Sequence, residues 1–332
     1  MTVTPNVRLI GLFAVLALAI ALPFFVGGYR VFQFTMVLDY AIAVFGANIL
    51  TGYNGQIALG NGAFYAIGAY TVAILMNHSG LPYWATLPIA AAICFVAGFL
   101  FGLPALRLEG PYLALATFAL AVATPQLLKF HGIEKWTGGV QGILLDKPDA
   151  PFAAINSDQW LYLFCLIVTV IMFVLGYNLL RGRTGRAIVA IRDHPMAASS
   201  MGIDTSLYKS LTFGVSAMFT GIAGALGALA TQFVSPDSFT LFLSISFIVG
   251  VVVGGVATVS GAFFGAIFIE FVPPFADQIS KAAPWAIYGV LLIFCVYAMP
   301  TGVAGLFRLI ARMIFRRQPP SSSEISPARL TP

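Results

Sequence analysis

Three groups of residues in this chain have the types and spacing to do chemistry. The first is a set of neutral amides, Asn48, Asn54, Gln56 and Asn61, in NILTGYNGQIALGNGAFYAIGAYT, the stretch from Asn48 to Thr71, where Gly52, Gly55, Gly60, Gly62 and Gly68 also fall. Amides both donate and accept hydrogen bonds without carrying charge. Set among apolar residues, they suit the lining of a route for polar solutes. Thr117, closing the stretch GPYLALAT from Gly110, adds a hydroxyl. The second group is a pair of acids, Asp39 and Glu270, that interrupt apolar runs. A carboxylate inside a membrane costs at least about 2.5 kcal/mol, so each is a candidate path or ion site, Glu270 the stronger for lining a path. The third is the basic stretch RGRTGRAIVAIRDHPMAASSMGIDTSLYK, Arg181 to Lys209, which holds five of the chain's 17 Lys and Arg residues.

Other chemistries lack their residues. The five lysines, at positions 129, 135, 147, 209 and 281, follow Leu, Glu, Asp, Tyr and Ser, and a phosphate-cradling P-loop requires Gly-Lys. The chain therefore carries no such ATP site, and work done by ATP falls to another subunit. His78, His131 and His194 are not spaced as metal ligands. Cys94, Cys165 and Cys295 sit in apolar runs without metal or disulfide spacing, as small core residues do. With no nucleophile–base pair either, the expectation is a protein that is not an enzyme, binds no metal and holds no cofactor.

The elements that must position these groups are membrane helices. Of 332 residues 59% are hydrophobic and 9% charged, against about 25% charged in a soluble domain. Such a chain belongs in a bilayer, with lipid as its surroundings. At about twenty apolar residues per crossing, ten spans are expected, near 9–27, 31–50, 58–77, 83–103, 111–129, 159–180, 209–232, 238–257, 259–275 and 284–301. The first follows Arg8 and lacks a small-x-small cleavage site, so it is expected to be retained. The expected class is all-α and polytopic, with a single transmembrane domain over 1–307 and a basic, then Pro/Ser-rich, cytoplasmic tail over 308–332.

Orientation follows from Lys and Arg in the flanks. With both termini in the cytoplasm, twelve lie inside (Arg8, Arg107, the five of 181–209, and Arg308, Arg312, Arg316, Arg317 and Arg329). Five lie outside, at Arg30, Lys129, Lys135, Lys147 and Lys281. The stretch 181–209 then becomes a cytoplasmic element between the sixth and seventh spans. Its sequence predicts a helix over 185–192, a second short helix capped by Asp193 with Pro195 in its first turn, and a left-handed stop at Gly202. A basic helix–turn–helix in that place suits docking of a cytosolic partner. On the outside, Thr137-Gly138-Gly139 and Gly142 form a turn-rich patch that faces a receptor or joins two spans.

The glycine-rich stretch, GPYLALATFALA, TGGVQGI, GRAIVAIRDHPMAASSMGI and YGVLLIFCVYAMPTGVAGL occur here in that order. Together they resemble the LivM-type permeases of branched-chain amino acid ABC importers, over about residues 30 to 307. The resemblance implies a subunit of a bacterial inner membrane. Its implied partners are a LivH-like second permease, two cytosolic ATP-binding subunits and a periplasmic substrate-binding protein, with no nucleic acid. It implies ATPase contacts at Gly185, Arg186, Ala190, Ile191, Arg192, Ala197, Ala198 and Gly202. The chain departs from the family pattern in three places: Pro195 and Met196 stand where a glutamate often precedes the alanine pair, Asn61 stands where histidine is frequent, and GGVATVSGA has lost a glycine and a proline. The wider family also serves urea, short amides and aromatic acids. A different function class, a self-sufficient secondary transporter or channel with Asp39 and Glu270 as ion or proton sites, has no use for a basic helix–turn–helix.

Overall fold

A computed structural model of the protein describes residues 5–105, 110–150, 155–279, 284–299 and 301–306. Arg107, Glu109, Lys281 and the expected tail over 308–332 lie outside the described residues. The chain forms α1 (Pro5–Phe25) and α2 (Gly28–Asn48), which runs on into a π-helical turn, Ile49–Tyr53. After an irregular passage over 54–60 come α3 (Asn61–Ser79), α4 (Tyr83–Ala105), α5 (Pro111–Leu128), the short α6 (Glu134–Thr137) and β1 (Ile143–Leu144). Then follow α7 (Ser157–Arg181), α8 (Arg183–Asp193), α9 (Pro195–Ser200), α10 (Thr205–Thr231), β2 (Phe233–Val234), α11 (Leu241–Gly254), α12 (Gly261–Ile279) and α13 (Pro284–Ala298). The class is all-α, and the protein is a multi-pass membrane protein.

Six helical segments among the described residues are long and apolar enough to cross a membrane: Gly28–Tyr53, Tyr83–Pro104, Pro111–Leu128, Ser157–Arg181, Thr205–Thr231 and Pro236–Gly254. That is fewer than the ten expected from the sequence. Polar residues dilute α3 (Asn61, Asn77, His78) and α12 (Glu270, Asp277), and α13 is only 15 residues long.

The centre of the molecule is α10, whose residues from Phe213 to Ala230 are almost all buried. Small residues allow this, because in lipid the helices are held by close packing and not by a difference in apolarity. Gly68 of α3 meets the Gly221 carbonyl of α10 so closely that a Cβ would collide with it. Larger side chains tie the ring of helices around α10. Phe45 of α2 stacks on Phe173 of α7 at 4.7 Å and meets Phe219 of α10 edge-on at 5.5 Å. Phe173 in turn packs on Phe263 of α12, with ring centroids 4.5 Å apart.

The two ends of the bundle differ. At one end α7 leads through Gly182 into α8 and α9, and these lead into α10. At the other end β1 and β2 pair antiparallel, Ile143 opposite Val234, a small sheet that the helical patterning of the sequence does not reveal. Lys129 bonds Asp237 at 2.6 Å there, Lys147 pairs with Asp158, and His78 stacks on Trp136. The turn-rich patch is built on left-handed glycines, Gly138, Gly139 and Gly142. This end is therefore a cross-tied cap, not a plain linker.

Candidate functional site

The site forms where α2 stops being an α-helix. A π turn closes i→i+5 hydrogen bonds, in effect one residue inserted into an α-helix, and such turns are frequent at functional sites. Here it spans Ile49–Tyr53, after which Gly55 takes φ +74° and the chain leaves the helix axis. Gly52 permits the turn, since a Cβ there would stand 2.6 Å from the amide nitrogen of Ala257 in the α11–α12 loop. The passage 54–60 and the first turn of α3 are then fastened to two other helices. Thr117 of α5 accepts a hydrogen bond from the Leu59 amide at 2.9 Å, and Ser244 of α11 accepts one from the Gly62 amide at 2.9 Å. The result is a broken helix, α2–α3, braced by α5, α11 and the α11–α12 loop.

The polar side chains at the break fall into two kinds. Asn48 is fully employed: its Oδ1 accepts from the Ala257 amide and its Nδ2 donates to the Thr258 carbonyl, both at 2.9 Å. Thr117 is likewise employed, donating to the Leu113 and Ala114 carbonyls while it holds Leu59. Both brace the break. By contrast both amide atoms of Asn54, Oε1 of Gln56, Nδ2 of Asn61 and Oγ1 of Thr51 are buried without a hydrogen-bond partner. Five of the ten such atoms among the described residues thus lie between positions 51 and 61. An orphaned buried polar group costs about 1–3 kcal/mol, so their concentration here marks a place built for polar contact. Thr51 does not stand out in the sequence, because a hydroxyl in a helix can bond its own backbone.

The acids lie elsewhere. Asp39 is nine positions before the end of α2 and Glu270 nine positions after the start of α12, about 14 Å along their helices from the break. Asp39 is fully buried and Glu270 half-buried. The structure therefore does not bring Glu270 into the amide group.

Asn48→Leu is expected to leave the Ala257 amide and the Thr258 carbonyl without their partner, lowering thermal stability by about 2–4 kcal/mol. Thermal unfolding of the purified chain in detergent measures this, and an unchanged midpoint would return Asn48 to the group of free amides.

The helix pair α8–α9 sits at the same end as the break. Gly185, Ile188 and Ile191 of α8 are buried, while Arg186 is exposed and Ala190 intermediate. In α9, Ala198 is buried and Ala197 exposed. Gly202 follows with φ +82°, the left-handed stop the sequence predicts. Asp193 does not cap α9: His194 occupies the N-cap, with no side-chain bond, and the Asp193 carboxylate accepts from Arg192 Nε at 2.9 Å. The nearer guanidinium outcompetes the free amides for it. Arg192 also donates from Nη1 to the Gly52 carbonyl at 3.0 Å, joining α8 to the break. Met196 in the first turn of α9 and Met201 just after its end, 83% and 84% exposed, are flexible apolar knobs. Methionine carries no polar motif, so nothing in the sequence singles them out.

Comparison with known proteins identifies the family to which this chain is related. The family described as "Branched-chain amino acid transport system / permease component" matches residues 29–299. The chain belongs to that family. It is a family of transport permeases, not of enzymes. The matched range includes the break, α8–α9 and the whole of α10. Among curated relatives, the high-affinity branched-chain amino acid transport system permease protein LivM of Salmonella typhimurium is 32% identical over 321 residues, 90% of this chain and 75% of the relative. The LivM protein of Escherichia coli strain K12 is 33% identical over the same shares. The autoinducer 2 import system permease protein LsrC of Klebsiella pneumoniae is more distant, 26% identical over 280 residues, 81% of this chain and 78% of the relative. No solved structure matches the chain.

Proposed function

We propose that this permease is one half of the membrane pore of an ABC importer, paired with a LivH-like permease and driven by two cytosolic ATP-binding subunits. A periplasmic binding protein delivers the solute, a branched-chain amino acid or a related small polar molecule. The chain crosses a bacterial inner membrane ten times, α8–α9 and both termini lie in the cytoplasm, and residues 1–307 act as one domain. The observation that carries this reading is the cluster of orphaned polar atoms of Thr51, Asn54, Gln56 and Asn61 in a helix break that α8 touches directly. These neutral groups form the cytoplasmic part of the path, with Asn48 and Thr117 holding its shape. The ATPase meets the exposed side of the helix pair, at Arg186, Ala190, Ala197, Gly202 and the two methionines. Gly185, Ile191 and Ala198, turned inward, keep that surface folded.

Two measurements test the assignment together. In a background without Cys94, Cys165 and Cys295, an impermeant thiol reagent applied from the periplasmic side should label Ser157→Cys and spare Ser199→Cys. Co-expressed ATP-binding subunits should co-purify with the chain in the same membranes. The reverse labelling pattern would invert the topology, and a chain that purifies without ATPase under these conditions would contradict the importer reading.

A further inference from the structure

Arg192 and the interrupted helix grip one another in a way that neither an ATPase contact nor a solute path requires. The guanidinium is held in a fork. Its Nε and Nη2 face Asp193 Oδ1, each at 2.9 Å, and its Nη1 donates to the Gly52 carbonyl at 3.0 Å. Gly52 is the penultimate residue of the π turn, where a helix runs out of its own amides to satisfy its carbonyls. The stem of Arg192 passes Gly55 so closely that a Cβ there would stand 2.8 Å from Cγ. Gly55 also has φ +74°, so glycine suits the position on both counts. From the other side, the turn is clamped by Asn48 on Ala257 and Thr258. The α8 side can thus displace the turn against a fixed partner.

We propose that Arg192 is the positioning residue through which α8–α9 sets the conformation of the π turn, and with it the orientation of the amides that follow. The inference rests on the permease reading and adds the joint that this reading leaves unnamed. A π turn is an α-helix with one residue inserted. Expelling that residue rotates everything beyond it by about 100° and shifts it by about 1.5 Å, which re-aims Asn54 and Gln56 while α2 above the turn stays packed. A movement of α8 that pulls on the Gly52 carbonyl drives this change, because that carbonyl is bonded from outside the helix.

The test uses the assembled importer in lipid vesicles, with Ile57→Cys as reporter in the cysteine-free background; Ile57 is 55% exposed in the passage beyond the turn. Its maleimide labelling rate is measured with and without a non-hydrolysable ATP analogue, and ATPase co-purification is measured in parallel. The parent importer should change its labelling rate about tenfold on nucleotide binding, within the usual range of coupling between sites. Arg192→Ala should reduce the change to less than about twofold, with the ATPase still bound and Arg192→Lys partly restoring it. Gly55→Ala, which disturbs the same contact from the other side, should also reduce it. A full nucleotide response in Arg192→Ala overturns the proposal while leaving the permease reading intact. Loss of the ATPase from Arg192→Ala would place the residue in the docking surface and overturn it too. A parent importer with no nucleotide response overturns the permease reading and this proposal together.

Discussion

Replacing Ala197 with Arg is expected to lower uptake about 100-fold while the chain remains inserted, folded and stable. Ala197 is exposed on the short helix α9 between Met196 and Met201, and none of the described elements covers it. A long charged side chain there does not disturb the bundle, so its effect falls on whatever docks against this face. A partner can move the pore only through contacts that differ between its own two states. Losing them should lower uptake by about 100-fold, the upper range of measured coupling. Stimulation of ATP hydrolysis by loaded binding protein should be lost in parallel. The adjacent substitution, Ala198→Arg, separates the two faces of α9: Ala198 is 4% exposed, so its Arg variant should lose thermal stability as well as uptake. Equal stability in both variants would mean that α9 does not pack as described. Normal uptake by Ala197→Arg would remove this face from coupling.

Asn61→Leu should lower uptake about tenfold and leave thermal stability unchanged or raised. The sign of the second effect is the informative part. Asn61 is 1% exposed and its Nδ2 has no hydrogen-bond partner. If the amide served only to hold helices together, its removal would destabilise the protein. An orphaned Nδ2 instead burdens the fold by about 1–3 kcal/mol, which an apolar side chain of similar size relieves. A gain in stability with a loss of activity is the pattern of a residue kept for function. Uptake and thermal unfolding measured on the same preparation decide it: a destabilised Asn61→Leu would make Asn61 a structural residue like Asn48.

That contrast between two asparagines shows what the sequence holds and what it does not. The glycine and amide pattern of 48–71 signals a break in a membrane helix, because backbone freed from a helix needs polar partners in lipid. The pattern does not say which amide is satisfied. The partners of Asn48 are 209 and 210 positions away, in a loop whose neighbourhood only the folded chain creates. The helix–turn–helix is legible from Pro195, Gly202 and the basic residues, since local signals govern its ends. Its faces are not: Ala197 and Ala198 read alike in sequence, and only the packing of α9 makes one exposed and the other buried. Asp193 shows one local rule overruled by another, a cap forgone for an adjacent guanidinium. Glu270 stood out because a buried acid is unusual, yet only the spacing of α12 against α2 shows that it lies far from the amides. The small sheet at the opposite end arises from segments about ninety positions apart, beyond the reach of any periodicity.

In the proposed importer the chain conducts its solute only when moved by an ATPase held on α8–α9. Uptake into vesicles that contain this chain with the second permease and the ATP-binding subunits, with loaded binding protein outside, tests it most directly. Leucine accumulation is expected to require ATP on the side of α8–α9 and to be unaffected when ion gradients are collapsed. Accumulation by the chain alone, driven by a proton or sodium gradient and lost on replacing Asp39 or Glu270 with the corresponding amide, would contradict it.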